Sequence, residues 1–221
     1  MNKYIIIAVV LIGTFLVHKV ITSVLEKKYT YSLMKSITDD EQTFTKKLDS
    51  LIVKYLIPMY NRELFRLNYY IVHSDTKKVK EQFTAMEGLK MTKNQQLTLY
   101  QTVFKYFITI NKKSEARNIS RKINAFVDEN NLDKDIKKQY EMEIRIYLDK
   151  DIKAISYIDS ILKECSDQEK AVRYLEKTYI YKANDQLKDA MECMNKVIEY
   201  TTDEKQKETF KELLANNLKD L

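Results

Sequence analysis

The stretch Tyr174–Tyr200 reads YLEKTYIYKANDQLKDAMECMNKVIEY, and it decides the fold. Large apolar side chains recur in it at helical spacing on both sides of the polar pair Asn184-Asp185, which predicts two helices joined by a short turn. In the second helix, Ala190, Met194 and Val197 follow an i, i+4, i+7 pattern and therefore share one face. The stretch is accordingly predicted to form a helical hairpin.

The same pattern recurs upstream with a period of about 37 residues, which is typical of stacked helical hairpins. One recurring position of the second helices is occupied by Val79, Ala116, Ala154 and Ala190. The residues at i+4 are Phe83, Ser120, Ile158 and Met194, and those at i+7 are Met86, Ile123, Ile161 and Val197. The preceding helices carry Tyr100, Phe104, Phe107, then Tyr140, Ile144, Tyr147, then Tyr174, Thr178, Tyr181.

The last unit resembles a tetratricopeptide repeat, with Tyr174, Tyr181, Ala190, Met194 and Val197 at the large, aromatic, small and apolar positions of that motif. Thr178 departs from the motif, which has a small residue there. The resemblance covers about residues 60–200 and implies an all-α fold, an α-solenoid of about four degenerate tetratricopeptide-like hairpins. Residues 203–221 are predicted to form a C-terminal capping helix, with Phe210, Leu213, Leu214 and Leu218 on its apolar side.

Composition supports a helical protein. The chain has two glycines and one proline in 221 residues, too few for the turns of all-β or Rossmann-type folds. Charged residues make up 32%, which suits helices with an apolar stripe and a solvated outer face. These numbers exclude the glycine-rich phosphate loops of nucleotide-binding enzymes.

The segment before the repeats is predicted to form a connecting helical segment over residues 29–59. Asp39-Asp40-Glu41 supplies acidic residues at a helix start, and Pro58 ends or kinks that helix. Its predicted apolar stripe is Phe44, Leu48, Leu51, Ile52, Tyr55 and Leu56. Residues 60–221 then form the repeat domain.

The N-terminal residues 1–28 are predicted to form a transmembrane anchor. Tyr4–Val17 contains no charge, and apolar residues resume after Lys19 as far as Leu25. The stretch from Tyr4 to Leu25 is long enough to cross a hydrocarbon core of about 30 Å. A cleaved signal peptide is the alternative, but no small-residue cleavage site follows the apolar run.

The orientation follows from the lysines. Lys19, Lys27, Lys28 and Lys35 follow the span, whereas Lys3 alone precedes it. The positive-inside rule therefore favours a single-pass protein of the cell membrane with its repeat domain on the cytoplasmic side, and the extracytoplasmic side is the alternative.

No catalytic, cofactor or metal motif is recognised. His73-Ser74-Asp75 contains triad-type residues, but their adjacency is typical of a turn and does not give triad geometry. Cys165 and Cys193 fit no zinc or redox spacing. We therefore expect a protein that is not an enzyme and that needs no cofactor.

Function is predicted from the family resemblance, which implies a concave groove that binds other proteins or peptides. The resemblance places in this groove Leu64, Asn68, Gln101, Lys105, Ile108, Glu141, Arg145 and Tyr179. The expected function is a membrane-anchored protein-interaction scaffold or adaptor. Alternatives are a structural tether that oligomerises envelope proteins and a regulatory subunit of an enzyme.

A basic cluster is the strongest local charge signal, formed by Lys112, Lys113, Arg117, Arg121 and Lys122. A solvated helix face is the simplest interpretation, and contact with anionic lipid or an acidic partner comes next. Nucleic acid is not an expected partner, because the aromatic or glycine-bearing loops that usually accompany such binding are missing.

Overall fold

The computed structural model describes residues 21–219 and Leu221, and this part of the chain is all-helical without any strand. It divides into two compact units, the first ending at Leu99 and the second comprising Tyr100–Leu221. The boundary falls inside one helix, Lys93–Thr109, and therefore within the stretch for which a single repeat domain was predicted.

The first unit consists of short helices followed by a hairpin. Its helices are α1 (21–35), α2 (Glu41–Leu48), α3 (Leu51–Leu56), α4 (Met59–Val72) and α5 (Thr76–Glu87), with a 3₁₀ turn at Ser36–Thr38. A core forms from Leu33, Phe44, Leu48, Val53, Ile57 and Tyr69. The ring of Phe44 stacks on that of Tyr69 with centroids 4.4 Å apart, which fixes α2 against α4.

Between Asp40 and Pro58 the connecting segment forms two helices, α2 and α3, not the single helix that the apolar spacing predicts. The Asp40 carboxylate caps α2 by accepting from the Thr43 amide at 3.0 Å, and the Ser50 hydroxyl caps α3 in the same way. This new start rotates the buried face of α3 toward Val53 and Ile57. The predicted stripe is therefore wrong for Leu51, Ile52 and Tyr55, which the structure leaves exposed.

The second unit begins within α6 (Lys93–Thr109) and continues as helical hairpins. Its other helices are α7 (Lys113–Glu129), α8 (Asp135–Glu143), α9 (Ala154–Ile161), α10 (Asp167–Ala183), α11 (Leu187–Tyr200) and α12 (Glu204–Ala215). α8 continues directly as a π-helix, Ile144–Asp149. The hairpins along the chain are thus α4–α5, α6–α7, α8–α9 and α10–α11.

The repeating positions of the second helices are removed from solvent. Val79, Ala116, Ala154 and Ala190 each have 0% exposure. At i+4 and i+7 the side chains are also buried, except Ile161, which is half-buried at the end of α9. These positions form the contact faces of the second helices.

The four hairpin turns share a left-handed residue. The φ angles are 55° at Ser74, 54° at Asn111, 51° at Lys150 and 59° at Asp185. Asn and Asp tolerate this conformation, whereas a residue such as Lys adopts it at a cost of roughly 1–2 kcal/mol. The turns therefore repeat in conformation although none of them contains glycine.

The helix α12 packs on the last hairpin. Phe210, Leu213 and Leu214 contact the buried face of α11, where Ala190, Met194 and Val197 lie. Leu218, beyond the end of α12, is fully buried in the same cluster. The apolar side of the last hairpin is therefore covered within the chain.

The predicted anchor lies mostly in residues 1–20, outside the described residues. Its last part, residues 21–28, belongs to α1. From residue 21 onward, none of the helices combines the length and the apolar character that a membrane span requires.

The buried small residue of α11 gives a test of the register. Ala190→Trp should overpack the α10–α11 contact and lower stability by about 1–3 kcal/mol. In a chain of this size that is a fall in Tm of roughly 2–4 °C per kcal/mol, measured by circular dichroism.

Ala183→Trp is the matched control, because Ala183 lies in the same hairpin but is exposed. This variant should melt close to the wild type. Equal Tm values for Ala190→Trp and the wild type would contradict the assigned register.

Candidate functional site: a groove in the second unit

The second unit has a large concave surface, here named the inner groove, with a cavity volume of about 1510 Å³. Its walls come mainly from the first helices of three successive hairpins, α6, α8 with its π-helix, and α10. The side chains that line it include Lys105, Ile108, Lys113, Met142, Glu143, Tyr147, Lys150, Tyr157, Val172, Arg173, Glu176 and Tyr179. Small-molecule pockets usually enclose about 300–1,000 Å³, so this space suits a peptide segment better.

The π-helix Ile144–Asp149 shapes the middle of the groove. Its i→i+5 hydrogen bonds wind the backbone more widely than an α-helix, so the residues after Ile144 change face. Ile146 and Leu148 are each 2% exposed at the base of the groove, and Tyr147, between them, is half-buried in the same lining. Tyr147 also packs against the core cluster around Ile146 and Ile158, in agreement with its place in the predicted packing series.

Lys150 ends the π-helix in its left-handed conformation and presents its ammonium to the groove. The Nζ atom lies 4.9 Å from the ring centroid of Tyr179. The Asn184 amide donates to the Lys150 carbonyl at 2.8 Å, which joins the third turn to the fourth. Burial lowers the pKa of Lys150, and the nearby Lys113 ammonium lowers it further.

A buried carboxylate, Glu176, organises one wall. It is 2% exposed and accepts two hydrogen bonds from Nη1 of Arg173, at 2.9 and 2.8 Å. The Tyr147 hydroxyl donates to its Oε1 atom. Burial, with the charge of Glu176, raises the pKa of Tyr147, so the phenol remains a donor. The position of the Tyr147 ring is therefore fixed by an ion pair.

A second carboxyl group, that of Glu143, lines the groove. It accepts a hydrogen bond from the Gln139 amide at 3.0 Å. Burial raises the pKa of Glu143, although the Gln139 hydrogen bond and the Lys105 charge oppose this shift. Five cationic side chains, Lys105, Lys113, Lys138, Lys150 and Arg173, thus line the groove with three carboxylates, Asp135, Glu143 and Glu176. Glu176 is paired with Arg173 and Asp135 with Lys138, which leaves an excess of cations.

The residues that the family resemblance places in a groove are not all brought together. Lys105, Ile108 and Tyr179 line the inner groove. Leu64 and Asn68 lie on α4, in the first unit. Gln101 hydrogen-bonds Tyr140, whose pKa burial raises to about 12.

Glu141 and Arg145 form an ion pair with each other at 2.9 Å and lie outside the lining of the inner groove. The structure instead brings Met142, Tyr147 and Glu176 to the lining. The spacing Arg173-x2-Glu176 was a usable sequence signal for the buried ion pair, since residues three apart on a helix are neighbours.

The residues of the basic cluster at the start of α7 do not share one surface. Nη2 of Arg117 donates to Asp149, the last residue of the π-helix, at 2.7 Å. Lys113 lines the inner groove. Lys112 and Arg121 are exposed, and Lys122 is half-buried.

His73-Ser74-Asp75 forms the turn between α4 and α5. Nε2 of His73 lies 3.0 Å from the Ile37 carbonyl oxygen, and the Asp75 carboxylate caps α5 by accepting from the Lys78 amide at 3.0 Å. Ser74 takes the left-handed conformation. Each of the three residues thus has a role in the turn.

The Glu143 carboxyl predicts a pH-dependent stability. Since its pKa is raised above the ordinary value of 4.5, it favours the folded state below that value, and this contribution is lost as the pH rises through the raised pKa. Glu143→Gln should therefore raise Tm at pH 7.5, and the difference should shrink at pH 4. Thermal denaturation at the two pH values measures it.

Glu141→Gln is the control, because it removes an exposed carboxylate two residues away. A lower Tm for Glu143→Gln at pH 7.5, or the same difference from wild type at both pH values, would refute the assignment.

Comparison with known proteins found no matching family model, no matching curated protein and no matching solved structure.

Proposed function

We propose that this chain is a membrane-anchored scaffold or adaptor without catalytic activity, which binds a segment of another protein in its inner groove. The observation that carries this proposal is the lining of the groove by the first helices of successive hairpins. Grooves of this kind take a helix or an extended peptide, whose apolar side chains serve as anchors.

The chemistry of the lining defines the kind of segment. Tyr147, Tyr157 and Tyr179 offer aromatic surface that retains a polar hydroxyl, and Ile108 and Val172 add aliphatic surface. Aromatic residues and Arg are the side chains that contribute most at protein interfaces. The unpaired excess of cationic side chains favours a partner segment that carries carboxylates beside its apolar anchors.

The fixed wall of the groove lowers the cost of binding. Arg173, Glu176 and Tyr147 hold one another, so the aromatic ring does not have to be ordered when a partner arrives. Lys150 is held by its turn and by the hydrogen bond from Asn184 to its carbonyl. Such preorganisation is what a binding surface needs, and it requires no reactive group.

The membrane attachment is supported by the apolar run Tyr4–Val17. The lysines that follow it support a cytoplasmic repeat domain. An anchor confines the groove to a thin layer beside the bilayer, which raises its effective concentration toward partners in the same membrane. The resemblance of residues 60–200 to tetratricopeptide repeats supports the same role.

Site-specific photocross-linking in cells tests the proposal. A benzophenone amino acid that replaces Ile108 or Tyr179 should form a cross-link to a discrete segment of one partner, identified by mass spectrometry. The same amino acid at Leu187, which is exposed on α11 outside the groove, serves as the positional control.

Charge-reversal variants show whether the partner binds in the groove or elsewhere on the surface. Lys105→Glu with Lys150→Glu should reduce the cross-link from position 108 roughly tenfold, as ~1.4 kcal/mol of lost binding would. Arg145→Glu changes the same charge outside the groove lining and should leave the yield unchanged. Equal yields in all variants, or equal cross-linking from position 187, would contradict binding in the groove.

A further inference from the structure

Exposed apolar side chains are concentrated in the first unit. Among the described residues, eight of the twelve large hydrophobic side chains that are exposed lie within residues 21–59. They are Ile21 and Val24, which belong to the predicted anchor, then Tyr31 and Met34 on α1, Leu51, Ile52 and Tyr55 on α3, and Met59 at the start of α4. Scattered exposed hydrophobics are ordinary, whereas such a concentration in one short region marks an interaction surface.

The helix α3 is apolar on nearly every side. Its sequence LIVKYL contains one charge, Lys54. Val53 is buried in the core, yet Leu51 on the other side is 86% exposed and Tyr55 is 72% exposed. By contrast, α5 of the same unit presents Lys77, Lys80 and Glu81 to solvent. A helix that is hydrophobic all round is normally covered on both sides.

In this region most of the carboxylates are held by hydrogen bonds within the protein, whereas several lysines are exposed to solvent. Four carboxylates after α1 are held within the protein. Asp39 accepts from Lys47, Asp40 caps α2, Glu41 accepts from Lys78 and Asp49 accepts from Arg66. Lys27, Lys28, Lys35 and Lys46, in contrast, are exposed. The apolar side chains are thus accompanied by exposed cations, and the four carboxylates of residues 39–49 are engaged within the protein.

This combination fits the surface of a bilayer. Interfacial segments bury aliphatic and aromatic side chains at the level of the headgroups and hold Lys against anionic lipid. The ammonium of Lys35 lies 5.0 Å from the ring centroid of Tyr31, so that an aromatic ring and a cation are presented together. Tyr is also enriched where proteins meet the membrane interface.

The place of α1 at the end of the predicted anchor favours a membrane as the partner of this exposed surface. The apolar run Tyr4–Val17 ends shortly before residue 21, so the anchor would hold α1 and its unit at the bilayer. A second copy of the chain would bring the same lysines toward their own copies, and like charges would oppose that contact. We infer that the exposed apolar face of α1 and α3 lies in the headgroup region of an anionic membrane, an inference that rests on the proposed anchoring.

The chain contains no tryptophan, so a single Trp reports its own surroundings. Tyr55→Trp places the reporter on the exposed face of α3, and Ala85→Trp places it among the charged residues on the outside of α5. The full-length chain is reconstituted in vesicles of phosphatidylcholine with phosphatidylglycerol, with or without brominated phosphatidylcholine. Flotation measures anchoring, and fluorescence measures contact with lipid.

The expected result is that both variants float with the vesicles, and that emission from Trp at position 55 shifts to the blue and is quenched by brominated lipid. Trp at position 85 should show neither change. Omitting phosphatidylglycerol should weaken the quenching at position 55, because the lysines then lack anionic headgroups.

Four results would overturn the inference. Flotation without quenching at position 55 would remove the lipid contact and leave the anchoring intact. Equal quenching at positions 55 and 85 would remove its specificity for α3. A blue shift at position 55 in detergent that grows with protein concentration would assign the face to a second copy. Failure to float would reject the anchoring, and the inference with it.

Discussion

Each hairpin depends on a small or compact side chain that lets its second helix pack closely. Val79, Ala116, Ala154 and Ala190 have no exposed surface, and larger apolar residues one and two turns later complete each contact face. Close packing of this kind brings the dispersion and hydrophobic contributions of neighbouring helices together. The left-handed residue in each turn reverses the chain so that this contact can form.

The inner groove results from the packing of the hairpins together with one irregular element, the π-helix Ile144–Asp149. Second helices take up the close contacts, so the first helices of three successive hairpins supply most of the lining. The π-helix then brings Ile146, Tyr147 and Leu148 to the base of the groove, with Ile146 and Leu148 nearly fully buried and Tyr147 half-buried. Because the Tyr147 hydroxyl meets Glu176, which Arg173 already holds, the irregular turn is stabilised by an interaction inside the groove.

The period and the hairpin positions could be predicted because they depend on local spacing of apolar residues. The break between α2 and α3 was also encoded locally, since Ser50 is a favourable N-cap, but the continuous apolar spacing across Asp49 concealed it. The π-helix could not be predicted in this way. Ile144–Asp149 reads as ordinary α-helix, and the partner of its Tyr147, Glu176, is 29 residues away in sequence.

The groove lining, too, could be predicted only in part from the sequence. Lys105, Ile108 and Tyr179 lie on the regular helices α6 and α10, and they are part of the lining of the inner groove. Arg145 lies in the π-helix and pairs with Glu141 of α8, and neither residue lines the groove. Met142 and Tyr147 line it instead.

Hydrogen–deuterium exchange of the full-length chain, with and without the partner peptide recovered by cross-linking, tests the central claim most directly. If the inner groove binds that segment, added protection should fall on the end of α6, on Ile144–Asp149 and on α10, while α12 exchanges unchanged. Protection confined to α12 or to the outer side of α11, with none at Ile144–Asp149, would contradict the account.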